Sequence, residues 1–382
     1  MAMPPPSAEA LAHSERVAAR VRGEIAKAGG WIGFSRYMEL ALYAPGLGYY
    51  MAGARKLGAD GDFVTAPEIS PLFGQTLARQ VGQVLVEGLE DVLEIGAGSG
   101  ALAASLLSEL DRLGAAPKHY YILELSPDLR ERSRDTIASR APQLMERVAW
   151  LNRLPPSFSG MVLGNEVLDS MPVHIVRNGT GGILEAGVGV SESGAFGWAW
   201  RAAEGELLEA ARELNLPADY TTEIGLIPGA FIASVTEMLE RGVMLFIDYG
   251  FPRHEYYHPQ RNEGTLMCHY RHHAHADPFH LPGLQDITAH VDFSAVAGAG
   301  TRAGLDLLGY ATQAQLLINC GITEVLARVP PEDAVRYLPL SNQANRLLSP
   351  AEMGELFKAI AFGKGFDAAL VGFAAGDKRH TL

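Results

Sequence analysis

The stretch from Asp91 to Gly100 narrows the possible folds of this chain more than any other. Val92, Leu93 and Ile95 make a short apolar run with Glu94 inside it, glycine follows at every second position (Gly96, Gly98, Gly100), and Ala101 to Leu110 has helix-forming composition. That order predicts a strand, a tight turn and a helix start, with bare backbone where a ligand would sit. The spacing Gly96-x-Gly98-x-x-Ala101 also satisfies the dinucleotide fingerprint, so the glycines alone admit NAD or FAD.

Two carboxylates narrow the choice. Glu94 stands two residues before the first glycine, where a negative side chain turned toward a pyrophosphate would repel it. A sulfonium cofactor such as S-adenosylmethionine carries an ammonium, a positive sulfur and no phosphate, so an acid beside the turn favours it. Glu124 ends the next apolar run, Tyr120-Tyr121-Ile122-Leu123. A carboxylate there can accept both ribose hydroxyls, a role common to NAD and adenosylmethionine sites. Together they favour a methyltransferase over a dehydrogenase.

The rest of the chain is consistent with such a sheet. From residue 89, apolar runs at 119–125, 148–151 and 161–164 alternate with helical stretches at 101–113 and 129–140, as in a parallel sheet covered on both faces. Residues 173–203 alternate at period two with Gly179, Gly181 and Gly182 between, which predicts antiparallel hairpins. Helical segments follow at 204–214 and 229–241, then a strand at Val243–Gly250 and a last strand at Ala368–Phe373. Before residue 89 the reading is helices broken by loops, with Leu72–Glu87 the clearest.

Composition limits the partners. The 382 residues are 48% hydrophobic and 20% charged, as in a folded protein with a sizeable core. A net charge of −13 argues against a grip on nucleic-acid phosphates or an anionic membrane. No apolar run approaches the roughly 18 residues of a membrane span. The first 30 residues mix Arg16, Arg20 and Arg22 with Glu9, Glu15 and Glu24, unlike a transit or signal peptide, so a cytoplasmic protein is expected. Cys268 and Cys320 read as buried thiols. The histidines at 269, 272, 273, 275 and 280 lack the ligand spacing of a zinc site, and no metal is expected.

A third polar turn, Gly164-Asn165-Glu166-Val167-Leu168-Asp169-Ser170-Met171-Pro172, follows the strand at 161–164. Loops at the carboxyl ends of such strands line the ligand crevice, which makes Asn165, Glu166 and Asp169 candidates. Asp248, at the end of its own strand, and His290 are further candidates for the same crevice.

Read in order, these segments resemble a known family, the MidA-type methyltransferases that include the mitochondrial complex I assembly-factor arginine methyltransferase. The matching residues are Phe34–Met38, Leu42–Tyr50, Gly61–Ser70 with Phe73-Gly74, Glu94–Gly100, Glu124–Pro127, Asn165–Pro172, Ile247–Gly250, Gly283, Asp286–Phe293, Thr312-Gln313 and Pro350–Gly354. The resemblance implies an α/β, class I, Rossmann-like methyltransferase fold with S-adenosylmethionine as cofactor. It implies an N-terminal helical cap (1–88), a core (89–172 and 243–382) and an inserted α+β substrate lid (173–242). It implies methylation of a protein arginine and a partner such as a respiratory complex I subunit.

The expected cofactor residues are Glu94, Gly96, Gly98, Gly100, Glu124, Asn165, Thr65 and Pro67. The expected catalytic acids are Glu166, with Glu68 or Asp169 as a second. Methyl transfer is an in-line displacement, so the protein mainly positions the nucleophile, and a carboxylate gripping two guanidinium N–H groups would do so. The competing readings are a non-catalytic assembly factor or chaperone that keeps the fold, and a small-molecule methyltransferase.

Overall fold

The computed structural model describes residues 3–52 and 64–382, which group into two compact units. The first unit comprises 64–167, 231–251 and 293–382; the second comprises the described residues up to 52, 168–230 and 252–292. Gly61, Asp62 and Phe63 of the Gly61–Ser70 block lie outside the described residues.

The first unit is built on one sheet. Its strands are β1 (Asp91–Ile95), β2 (His119–Leu123), β3 (Val148–Leu151), β4 (Phe158–Asn165), β5 (Leu239–Phe251), β6 (Asp306–Thr312) and β7 (Phe357–Lys364). They lie in the order β3-β2-β1-β4-β5-β7-β6. The first five pair in parallel, whereas β7 runs antiparallel to both β5 and β6. The chain order reverses between β1 and β4, and in such sheets a crevice opens at the carboxyl ends of the strands beside that reversal. Both faces are covered: Val92, Met161 and Leu245 are buried on one, Leu93, Val162 and Phe246 on the other. Double burial explains why these strands read as continuous apolar runs rather than alternating ones.

Two helices set the crevice. One, Ala101–Arg112, follows β1 and begins at Gly100, whose left-handed conformation turns the chain out of the strand. The other, Pro127–Arg140, follows β2 with Ser126 as its N-cap, the Ser126 oxygen accepting from Leu129 N–H. A third helix, Pro71–Val86, is likewise capped by a serine, Ser70, and carries proline at its first turn.

The expected strand at 368–373 is not one: Val371–Phe373 is a short 3-10 turn, and the last strand is β7. Gln83 Oε1 accepts Val371 N–H at 2.9 Å and Gln80 Oε1 accepts Gly372 N–H at 2.8 Å, so side chains take the donors a ladder would use. The strand predicted at Val243–Gly250 extends to Leu239–Phe251, and the helix before it ends at Met238.

The second unit is antiparallel, as the alternation at 173–203 predicts. Strands His174–Gly179, Gly182–Val190 and Phe196–Ala202 form successive hairpins, and Tyr220–Ile224 pairs with the first of them. Contrary to an all-helical N-terminus, Ile32-Gly33 adds a short strand against Val188 and Gly187. The segment 252–292 belongs to this unit through a buried carboxylate. Glu223 accepts Thr265 and Leu266 N–H at 3.0 Å and the Tyr256 hydroxyl at 3.2 Å. Among the described residues, no helix is long and apolar enough to cross a membrane.

Candidate functional site

Three successive left-handed glycines shape the turn after β1. Gly96, Gly98 and Gly100 have φ of 70°, 54° and 81°. At Gly100 a side chain is excluded twice, because a Cβ there would lie 2.7 Å from the backbone of Ser133. At Gly96 it would lie 2.9 Å from the Val167 side chain. The turn is fastened by Gly96 N–H donating to Leu123 O at 2.9 Å, at the end of β2.

Glu124 spans the same turn. One carboxylate oxygen accepts Gly98 N–H at 3.0 Å and the other accepts Ser126 N–H at 2.9 Å. The acid that ends β2 is thereby held against the glycines, as the sequence spacing anticipates.

Glu94 behaves differently from the expectation of a charged side chain beside the turn. It is 2% exposed on the sheet face shared with Val92 and accepts the Tyr120 hydroxyl at 2.7 Å. Burial pushes its pKa up from 4.5 to about 7; the Tyr120 hydrogen bond pulls it down and the Glu124 charge adds to the rise. At neutral pH the carboxyl is therefore near half-protonated, which weakens the simple argument of a fixed negative charge. Tyr120 was missed from sequence, although its parallel neighbour strand and matching face were the available signal.

The short helix Ala66–Ile69 lies between two parts of the site. Thr65 is its N-cap residue and Pro67 sits in its first turn. Glu68 accepts the hydroxyl of Ser99, inside the glycine turn. Ala66 N–H donates to Glu166 Oε1 at 3.3 Å. Glu68 thus contacts the glycine turn directly.

Glu166 leaves β4 in a left-handed conformation, φ 54°, uncommon for a residue with a long side chain. Its N–H donates to Ile247 O at 2.9 Å, and the next amide, Val167 N–H, donates to Asp248 Oδ2 at 3.1 Å. Asp248 is fully buried, and its other oxygen accepts Tyr249 N–H at 2.9 Å. The Asp248 carboxylate is a clamp that holds the turn, a role its position in the sequence could not specify. Asn165 Nδ2 donates to Glu166 Oε1 at 2.9 Å, and Asn165 Oδ1 is buried with no hydrogen-bond partner among the described residues.

The first unit therefore brings together Thr65, Pro67, Glu68, Glu94, the three glycines, Glu124, Asn165 and Glu166. Asp169 and His290 belong to the second unit. There Asp169 O accepts Ala289 N–H at 3.0 Å, and His290 N–H donates to Thr265 Oγ1 at 3.1 Å.

The chain is similar to proteins of known family. Residues 75–311 match the family model of S-adenosyl-L-methionine-dependent methyltransferases. A Burkholderia thailandensis protein solved bound to S-adenosyl-homocysteine is 55% identical, with a TM-score of 0.97 and 100% of both chains covered. The mitochondrial protein arginine methyltransferase NDUFAF7 of Danio rerio is 27% identical over 86% of this chain and 82% of its own. The Drosophila melanogaster homologue is 28% identical over 96% and 89%.

Proposed function

Because the chain belongs to the family of S-adenosyl-L-methionine-dependent methyltransferases, we propose that it methylates a guanidinium nitrogen of an arginine in a partner protein. The acceptor class is supported by the named activity of the NDUFAF7 relatives. A respiratory complex I subunit is the partner we assign to it.

The glycine turn fits the cofactor. Its left-handed backbone leaves no room for a side chain at Gly96 or Gly100. In this reading Gly96, Gly98 and Gly100 pack against the adenosyl part and Glu124 receives the ribose hydroxyls. Thr65 and Pro67 border it beside Glu68, whose bond to Ser99 fixes that helix to the turn. When bound, the cofactor supplies an electrophilic methyl carbon on a positively charged sulfur.

Glu166 handles the acceptor. A guanidinium stays protonated and its lone pairs are delocalised, so it must be oriented before it can act as a nucleophile. The carboxylate grips its N–H groups, stabilises the charge and takes the proton released from the methylated nitrogen. The observation that carries this role is the left-handed backbone of Glu166, held by Ile247 O and the Asp248 clamp. Such a conformation costs about 1 kcal/mol or more and concentrates at functional positions. Glu68, bonded to Ser99 of the glycine turn, serves the cofactor side.

Glu166→Gln tests the assignment. Turnover at saturating adenosylmethionine should fall at least about 100-fold, with the calorimetric affinity for adenosylhomocysteine held within about twofold. Normal turnover in that variant sinks the assignment. Gly98→Val, in contrast, should abolish adenosylhomocysteine binding.

A further inference from the structure

The segment 276–285 of the second unit carries a polar cluster that the proposed reaction does not use. His275 ends the short strand His273–His275, directly opposite Cys268 of the strand Met267–Tyr270. The His280 ring stands 5.5 Å from the His275 ring, at 85° to it. The Nε2 atoms of both imidazoles are buried without a hydrogen-bond partner among the described residues, and so is Gln285 Oε1. Native structures keep few such atoms, and here three of them lie on neighbouring side chains.

The bonds of His275 locate its proton. Nδ1 accepts Asp277 N–H at 3.3 Å, so the neutral ring carries its proton on Nε2. A second proton can enter only at Nδ1, where it sets one N–H against another and breaks that turn. Burial and the neighbouring His280 hold the His275 pKa below its ordinary 6.5; the Asp277 charge and the nearby Gln285 oxygen act the other way. On the packed faces, Cys268 and Tyr37 stay neutral, because burial raises both well above their ordinary values. The Asp286 charge acts on Cys268. Tyr270 lies edge-on to His280 with Arg271 over its ring, and His273 lies two positions back on the His275 strand.

That turn anchors the whole segment. Asp277 Oδ1 accepts Phe279 N–H at 2.9 Å, and Gln285 Nε2 donates to Asp277 O and Pro278 O at 3.1 and 3.0 Å. The Tyr37 hydroxyl, from the helix Phe34–Tyr43, donates to Pro278 O at 2.7 Å. The Phe279 ring packs edge-on against Tyr37 at 5.3 Å and Trp198 at 4.9 Å. We propose that His275 and His280 form a proton-operated latch: a proton entering at His275 Nδ1 opens the Asp277 turn and frees Phe279 from Tyr37 and Trp198. The opened segment takes up that proton near pH 6.5, the latched one only at lower pH. Latching is therefore constant above 6.5 and weakens as pH falls below it, by at most about tenfold per pH unit for one proton.

Hydrogen exchange of the full chain at about pH 7.5 and about pH 5.5 tests the latch, with rates expressed as protection so that the intrinsic pH dependence of exchange cancels. Protection of 276–285 should be roughly three- to tenfold lower at the acid pH, whereas that of the hairpin strands at 174–179 and 182–190 should change by less than about twofold. His275→Asn keeps an acceptor for Asp277 N–H but cannot titrate there, so its protection should be the same at both pH values. His280→Gln removes the opposing imidazole and should make the drop smaller. An undiminished drop in the asparagine variant overturns the inference, as does no drop in the parent. A drop of the same size across the whole second unit overturns it too, because acid then loosens that unit throughout. Where the asparagine variant fails to fold, the glutamine variant decides: an unchanged drop overturns the latch.

Discussion

Glu94 shows how burial changes what a residue means. As sequence it is an anion placed before a glycine turn; in the fold it is a carboxyl at 2% exposure, bonded to Tyr120, with its pKa raised from 4.5 to about 7 by desolvation. The folded chain therefore binds this proton more tightly than the unfolded chain. Its favourable contribution is complete below pH 4.5 and is lost as pH rises through about 7. The shift corresponds to about 3 kcal/mol over that window. Urea unfolding of the ligand-free chain at a series of pH values should show this decline, and Glu94→Gln should remove it. Parallel pH profiles for the two chains would contradict the burial argument. The identity of Glu94 was legible in the sequence; its protonation was not, because the burial that raises its pKa arises only when the sheet is covered.

At the scale of the element, the turn after β1 was the most legible part of the chain. Alternate glycines encode left-handed backbone locally, and Gly96, Gly98 and Gly100 all adopt it. What lies against the turn was not encoded locally. A Cβ at Gly100 meets Ser133 backbone at 2.7 Å, whereas one at Gly29, also left-handed at φ 75°, meets nothing within 4 Å. Gly29→Ala should thus cost about 1 kcal/mol, the backbone term alone. Gly100→Ala should cost at least about 2 kcal/mol because packing strain is added. Thermal denaturation of the two variants checks the order; equal losses would mean that the Ser133 contact relaxes freely. The same limit explains the misplaced last strand. Phe357–Lys364 and Ala368–Phe373 are both short and mostly apolar, and only the glutamines at 80 and 83, far away in sequence, make the second a turn.

For the whole molecule, the division into two units predicts where ligand effects should concentrate. Adenosylhomocysteine at one hundred times its dissociation constant should stabilise the chain by about 2.7 kcal/mol. Slowed hydrogen exchange should centre on the unit with the glycine turn, 64–167, 231–251 and 293–382. Protection confined to 168–230 would contradict the proposed cofactor site. The sequence by itself determined the strand–turn–helix and the parallel and antiparallel regions, since period and turn chemistry act over a few residues. Only the tertiary structure decided the proton on Glu94 and the left-handed Glu166. It also decided the grouping of the N-terminal helices with the hairpins. Each of these depends on desolvation or on hydrogen bonds between distant residues, such as Val167 to Asp248 across 81 positions and Ala66 to Glu166 across 100. Such contacts exist only once the chain has closed on itself.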